Sequence, residues 1–147
     1  MKRHTKVGSK QQHARRGATL VEFALVTPVF LLFMFASIEF AHLNTLRNTA
    51  INAAYEAARR VVVPGGQSSE AETEAARILA TVGTTNFDVE VIPETITADT
   101  RAVTVSIKVP YERNALMVPW FTGSVVIDAE ATLQTERYGG INVPAGG

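Results

Sequence analysis

The 147-residue chain contains no cysteine and only three histidines, which are His4, His13 and His42. The absence of thiols excludes disulfide bonds, a cysteine nucleophile and a thiolate metal site. Because every histidine precedes residue 43, the rest of the chain cannot form a histidine-based triad or a His/Cys zinc site. A phosphate loop is also missing, because no Lys-Ser or Lys-Thr follows Pro64-Gly65-Gly66. We therefore expect no catalytic site, cofactor, metal or small-molecule substrate.

Carboxylates are the remaining candidates for catalysis, and they occur as the pairs Asp88/Glu90 and Asp128/Glu130. Each pair is spaced to lie on one face of a strand. A glycosidase needs two carboxylates across a cleft, and a small sheet offers little cleft. We interpret these residues as a solvated face. A small hydrolase remains an alternative that a carboxylate-dependent turnover would support.

Acidic residues are absent before Gly17, where the chain has six Lys or Arg residues. Beyond residue 42, eight basic residues stand against twelve acidic ones. A basic segment beside an apolar span predicts a cytoplasmic N-terminus and an extracytoplasmic C-terminus. Nucleic-acid binding is the rival interpretation, but residues 1–17 are few and contain no aromatic side chain. We expect a leader without regular structure, and no nucleic-acid partner.

An apolar run extends from Ala18 to Phe40, interrupted only by Glu22 and Glu39. As a helix it measures about 35 Å, enough to cross a hydrocarbon core of about 30 Å. We predict a transmembrane helix over residues 18–41 in a single-pass membrane protein. Glu39 lies near the outer end, so its carboxylate is expected to reach the interface.

Three other kinds of segment share some of these properties. A cleaved signal peptide has a shorter apolar region of about 7–15 residues that ends in a small-x-small cleavage site. The apolar region here is longer, and no good Ala-x-Ala site follows it. A buried helix of a soluble protein needs a partner layer that the short chain hardly supplies. A plain signal anchor leaves Glu22 unexplained.

Glu22 has two explanations from the sequence. If the chain is cut after Gly17, Ala18 becomes an ammonium terminus one helical turn away, on this chain or a neighbouring one. Alternatively, Glu22 is an interfacial residue that the helix dipole favours near a helix N-terminus. The residue alone leaves both open.

The segment from Gly17 to Pro28, Gly-Ala-Thr-Leu-Val-Glu-Phe-Ala-Leu-Val-Thr-Pro, resembles the processing site of TadE-like pseudopilins of Tad/Flp pilus systems. The resemblance implies that a prepilin peptidase cuts after Gly17 and that Ala18 is the mature N-terminus. It also implies that Glu22 is the assembly glutamate and Phe23 the aromatic residue that follows it. The location that it implies is a bacterial inner membrane, with the cell surface or the pilus as the alternative. The major pilins of these systems are much shorter, which favours a minor subunit.

Pro28 lies within the predicted span and removes one helical hydrogen bond. One interpretation is a kink that helps extraction and packing in a filament. The other is an ordinary membrane proline, which bilayers tolerate.

Beyond the span, residues 42–63 predict an amphipathic continuation of the helix, ended by Pro64-Gly65-Gly66. Its polar face includes a predicted Glu56–Arg60 pair. Its apolar residues form one stripe along the helix, made of Leu43, Leu46, Ala50, Ala53, Ala57 and Val61. This stripe packs either on the chain's own sheet or on neighbouring helices.

Residues 64–147 predict a small α+β domain. A capping box, Ser69-x-x-Glu72, begins a short helix that ends near Val82. Three runs of alternating residues around 87–91, 103–109 and 125–133 predict antiparallel strands with one polar face. The 110–123 connector is expected to close one edge of the core, with an exposed contact patch as the alternative. The tail over 139–147 is expected to be loose.

Together these features predict a pilin-like α+β fold, in which a long N-terminal helix packs on a small antiparallel sheet with one short extra helix. The expected function is that of a minor pseudopilin in pilus assembly, surface adhesion or secretion. Its expected partners are the membrane, the prepilin peptidase, other pilin subunits and the Tad assembly platform. The alternative is a membrane-tethered binding domain that never polymerises.

Overall fold

The computed structural model describes residues 8–63, 65–97 and 99–135. It has the predicted α+β architecture: a long N-terminal helix, a small antiparallel sheet and a short extra helix. The elements are α1 (Gly8–Val61), α2 (Ser68–Ala80), β1 (Asp88–Ile92), β2 (Ala102–Pro110), α3 (Tyr111–Asn114) and β3 (Val126–Gln134). The chain divides into two compact units, Met1–Ile38 and Glu39–Gly147. The tail predicted to be loose lies outside the described residues.

Helix α1 begins earlier and ends earlier than the sequence predicted. Residues 8–17 are helical, so the expectation of a leader without regular structure was wrong for that part. The stretch contains no proline, and adding turns to an existing helix costs far less than nucleating one. The helix ends at Val61 rather than Val63, because a residue before proline is disfavoured in the α region. Gly66 lies against the end of the helix, where a Cβ would be 2.5 Å from the Val61 carbonyl oxygen.

The three strands form one antiparallel sheet in the order β1-β2-β3. Strand β2 is central and pairs along its whole length with β3, from Ala102 opposite Gln134 to Pro110 opposite Val126. Its buried face comprises Val103, Val105, Ile107 and Val109, whereas the intervening residues are more exposed. The predicted alternation and the antiparallel pairing are confirmed.

The core of the second unit lies between the sheet, α2 and the last turns of α1. Within residues 39–61, the side chains that face this core are mostly alanine, which lets backbones approach closely. Fully buried there are Leu46, Ala50, Ala53, Ala54, Ala57, Ala58 and Val61. The predicted stripe is confirmed and packs against the chain's own core. Helix α2 adds Ala71, Ala75, Ile78 and Leu79.

Two local predictions were wrong. Helix α2 starts at Ser68 with Gln67 at its N-cap and no side-chain capping bond, so Ser69 lies inside the first turn and forms no capping box. Ser68 instead donates its hydroxyl to the Glu94 carbonyl. Glu56 lies 4.0 Å from Arg59 rather than pairing with Arg60, because residues three apart are also neighbours on a helix.

The 110–123 connector contributes to the edge of the core only at its start, and the rest of it does not close the core. It contains the short helix α3 and continues as a loop whose large apolar side chains are exposed. These are Leu116, Met117, Val118, Trp120 and Phe121. The part that fills the edge of the core is Tyr111, which is fully buried at the start of α3. The contact-patch alternative is therefore the one that the exposure supports.

Candidate functional site

The predicted processing and assembly residues lie together on α1 in the first unit. Gly17, Ala18, Glu22 and Phe23 are all exposed. A Cβ added at Gly17 would meet no atom within 4 Å. Glycine inside a helix costs roughly 0.5–1 kcal/mol relative to alanine, so neither packing nor backbone conformation accounts for glycine at this position.

Glu22 is exposed on α1 and has no ion-pair partner among the side chains of residues 17–63, 65–97 and 99–135. Phe23, next to it, leaves most of its ring exposed. Its carbonyl accepts a hydrogen bond from the Thr27 hydroxyl at 2.7 Å. Both side chains are therefore open to a group outside the chain.

Helix α1 continues through Pro28 without ending. Because proline has no N–H, the Ala24 carbonyl lacks its usual donor four residues later. The functional kink remains a prediction. Within the described chain, α1 is the one helix long and apolar enough to cross a membrane, and its most apolar part is unburied.

The second unit contains a site that the sequence did not predict. Glu39 is 9 % exposed, and its carboxylate accepts hydrogen bonds from three consecutive backbone N–H groups. The distances to Oε2 are 3.2 Å from Trp120 and 3.3 Å from Phe121, and the Thr122 N–H lies 2.8 Å from Oε1. The Thr122 hydroxyl donates to Oε1 as well. The sequence placed Glu39 near the outer end of the span but did not predict that the chain's own backbone binds its carboxylate.

Chain direction changes directly after these three donors. Gly123 has a φ of +55°, in the left-handed region that favours glycine. Successive N–H groups at such a turn point to one side and form a concave anion site. The carboxylate of Glu39 fills it, so no backbone donor of residues 120–122 needs water.

Helix α3 fastens the other end of the same loop to α1. The Tyr111 hydroxyl donates to the Glu39 carbonyl oxygen at 3.1 Å, and the His42 Nε2 lies 3.1 Å from the Asn114 carbonyl oxygen. The carboxamide of Asn114 bonds the backbone of Asn86 in both directions, at 3.2 Å and 2.7 Å. Burial, and then the negative charge of Glu39, raise the pKa of Tyr111 above its ordinary value.

The other charged groups form surface arrangements. Asp88, Glu90, Asp128 and Glu130 are exposed on the strands, as the solvated-face interpretation predicted. Arg77 Nε donates to Glu74 Oε2 at 3.1 Å. This hydrogen bond, followed by the charges of Arg77 and Arg60, holds the pKa of Glu74 below its ordinary value.

A comparison with known families gives one match: residues 17–59 match the sequence model of the TadE-like protein family. No curated protein matches the chain, and no solved structure matches it. The matched segment begins at Gly17 and lies wholly within α1. The match confirms the TadE-like resemblance predicted from the Gly17–Pro28 motif.

Proposed function

We propose that this protein is a minor pseudopilin of a Tad/Flp-type pilus, cut after Gly17 by a prepilin peptidase and then assembled through its new N-terminus. The observation that carries the proposal is where the TadE-like match starts. It begins at the glycine that the motif assigns to the cut, and that glycine has no packing reason to be glycine.

The exposure of the motif supports the second step. A carboxylate in or near hydrocarbon is costly unless it is paired. Glu22 has no ion pair within the described chain, and it lies four residues after Ala18, which is one helical turn. The ammonium created at Ala18 by cleavage is the complementary charge. Pairing with a neighbouring subunit's ammonium joins processing to assembly, and the role is structural rather than enzymatic.

Cleavage is tested by intact-mass measurement of membrane-extracted protein from hosts with and without the peptidase. We expect the mass of residues 1–17 to be lost only with the peptidase. Gly17→Val is expected to abolish the loss, because a peptidase pocket fitted to glycine excludes a branched side chain. Gly8→Val is the matched control, since it alters the other leader glycine. Unprocessed wild-type protein in the host with peptidase would overturn the proposal.

A second candidate function follows from the division of the chain. Because Glu39–Gly147 forms a compact unit with its own hydrophobic core, it is also suited to act as a tethered binding domain. A chimera in which residues 1–38 are replaced by an unrelated anchor separates the two functions. The exchange must stop before Glu39, which holds the loop of the second unit. Full function of the chimera would favour the binding domain; loss with normal surface exposure favours the pseudopilin.

A further inference from the structure

We propose that residues 115–122, called the 115–122 loop below, are a second membrane contact that inserts into the headgroup region of the outer face of the membrane. The inference rests on the membrane span of the proposed function but concerns a different part of the molecule. The occupant of this surface is a lipid interface rather than a protein. Three properties of the loop lead to it.

Exposure is the first property. Leu116, Val118 and Trp120 are 71 %, 77 % and 78 % exposed, so the loop presents its large apolar side chains outward. A soluble domain seldom leaves a contiguous group of this kind open to water. The backbone of the loop is held at both ends, by the bonds of Asn114 to Asn86 before it and by the bond of Thr122 to Glu39 at its end.

Position along the chain is the second property. Residues 120–122 are hydrogen-bonded to Glu39, which is the residue directly after the uncharged run 24–38. From Ala18 to Ile38 a helix measures roughly 31 Å, against a hydrocarbon core of about 30 Å. A span that begins at Ala18 therefore ends at Glu39, and the loop bonded to Glu39 lies at the interface.

Polar satisfaction is the third property. Irregular backbone and a free carboxylate are both costly beside hydrocarbon. Here each satisfies the other, because the N–H groups of residues 120–122 bind Glu39. The sequence from 114 to 127 also contains no charged residue. Tryptophan is enriched at membrane interfaces, and Trp120 is placed among these apolar side chains.

The test uses Trp120 as its own reporter, because it is the only tryptophan of the chain. The full-length protein is reconstituted in lipid vesicles and its fluorescence is recorded with two quenchers. We expect blue-shifted emission that is quenched by lipids brominated near the headgroup end of their chains, less by lipids brominated near the chain end, and little by aqueous iodide. Strong iodide quenching without brominated-lipid quenching overturns the proposal.

The matched control moves the reporter from the 115–122 loop to α1. In the Trp120→Phe/Tyr55→Trp variant, the tryptophan replaces an exposed side chain about 24 Å beyond Glu39 by helical rise. We expect iodide to quench it and brominated lipids to leave it unchanged. If both reporters respond alike to lipid, the contact is not specific to the loop and the proposal fails.

Two measurements separate this inference from the proposed function. Carbonate extraction reports whether the protein is embedded, and intact mass reports cleavage after Gly17. An embedded, cleaved protein whose Trp120 is iodide-accessible overturns the loop contact alone. Release by carbonate overturns the membrane span and the loop contact together. Trp120 could instead be protected from both iodide and brominated lipid, with a protection that disappears when the protein is diluted with lipid. That result would indicate that a second copy of the chain covers the loop, and it would overturn the lipid assignment.

Discussion

Two glutamates on α1 have opposite environments. Glu22 is exposed and without an ion pair in the described chain, whereas Glu39 is buried and accepts hydrogen bonds from residues 120–122. The comparison shows that a carboxylate in an apolar helix does not always have its partner outside the chain. Glu39 is satisfied by its own loop, and only Glu22 remains available to an external ammonium.

The apolar residues of the two parts of α1 differ in the same way. In the first unit they are exposed around the helix, as Leu32 and Phe33 illustrate, which is typical of a helix that faces lipid. In the second unit only the stripe that includes Leu46 is buried. One helix is therefore apolar and long enough to cross a membrane along part of its length, and it forms a core layer of a domain along the rest.

The largest expected effect is on assembly. Glu22→Gln should leave cleavage after Gly17 intact, because the cut precedes it by five residues. It should reduce incorporation into sheared pili by more than about tenfold, since losing one partner of a buried ion pair costs about 3–5 kcal/mol. Intact mass and quantitative blotting of the pilus fraction measure the two steps. Glu90→Gln, which changes an exposed strand carboxylate, is the control. Normal incorporation of Glu22→Gln would show that Glu22 is not needed for assembly.

A pair of leucine variants tests the division of α1 next. Leu46→Ala should destabilise the second unit by about 2–5 kcal/mol, because a fully buried leucine leaves a cavity. Leu32→Ala removes the same atoms from an exposed position and should change the unfolding free energy by at most about 0.5 kcal/mol. Urea unfolding in detergent, followed by near-UV circular dichroism, measures both. Equal effects would contradict the assignment of the two parts.

The Glu39 contact is tested by Glu39→Gln. The neutral side chain is a weaker acceptor, so the N–H groups of residues 120–122 lose their charge-assisted bonds. We expect proteolysis of the 115–122 loop to become faster, on the order of tenfold, because hydrogen bonds of this class contribute about 1 kcal/mol or more each. Limited proteolysis with chymotrypsin measures it. Glu56→Gln, on the same helix, should leave the rate of proteolysis unchanged. If Glu39→Gln is cleaved at the wild-type rate, Glu39 does not hold the 115–122 loop in place.

Regular periodicity made most of the fold predictable. The alternation around Val105 and the stripe through Ala53 each repeat over many residues, so small errors at the ends leave the assignment intact. Three local features were missed, because each depends on alternatives of nearly equal free energy. They are the helical leader, the start of α2 at Ser68 and the pairing of Glu56 with Arg59. Propensity differences of a few tenths of a kcal/mol per residue do not settle such cases.

The candidate site residues also fall into a predictable and an unpredictable group. The motif from Gly17 to Pro28 is contiguous, so the sequence alone was enough to predict the resemblance to TadE-like proteins. The contact between Glu39 and Thr122 joins residues more than eighty positions apart, and no local pattern encodes it. Two signals were present, namely a carboxylate at the end of an apolar run and the uncharged stretch 114–127. Only the fold connects them.

The smallest expected effect concerns Tyr111, whose hydroxyl bonds the Glu39 carbonyl. Burial and the Glu39 charge raise its pKa above the ordinary 10.0, so the folded state retains the phenolic proton that the unfolded state loses. Its contribution to stability is therefore complete below pH 10 and is lost as the pH rises through the folded-state pKa. Tyr111→Phe should cost about 0.5–1.5 kcal/mol at neutral pH and flatten the alkaline decline in the urea midpoint. Tyr55→Phe, which removes the hydroxyl of an exposed side chain, should show the same alkaline decline in the urea midpoint as the wild type. Parallel curves for wild type and Tyr111→Phe would show that the pH dependence arises elsewhere, and that the Glu39 charge does not act on Tyr111.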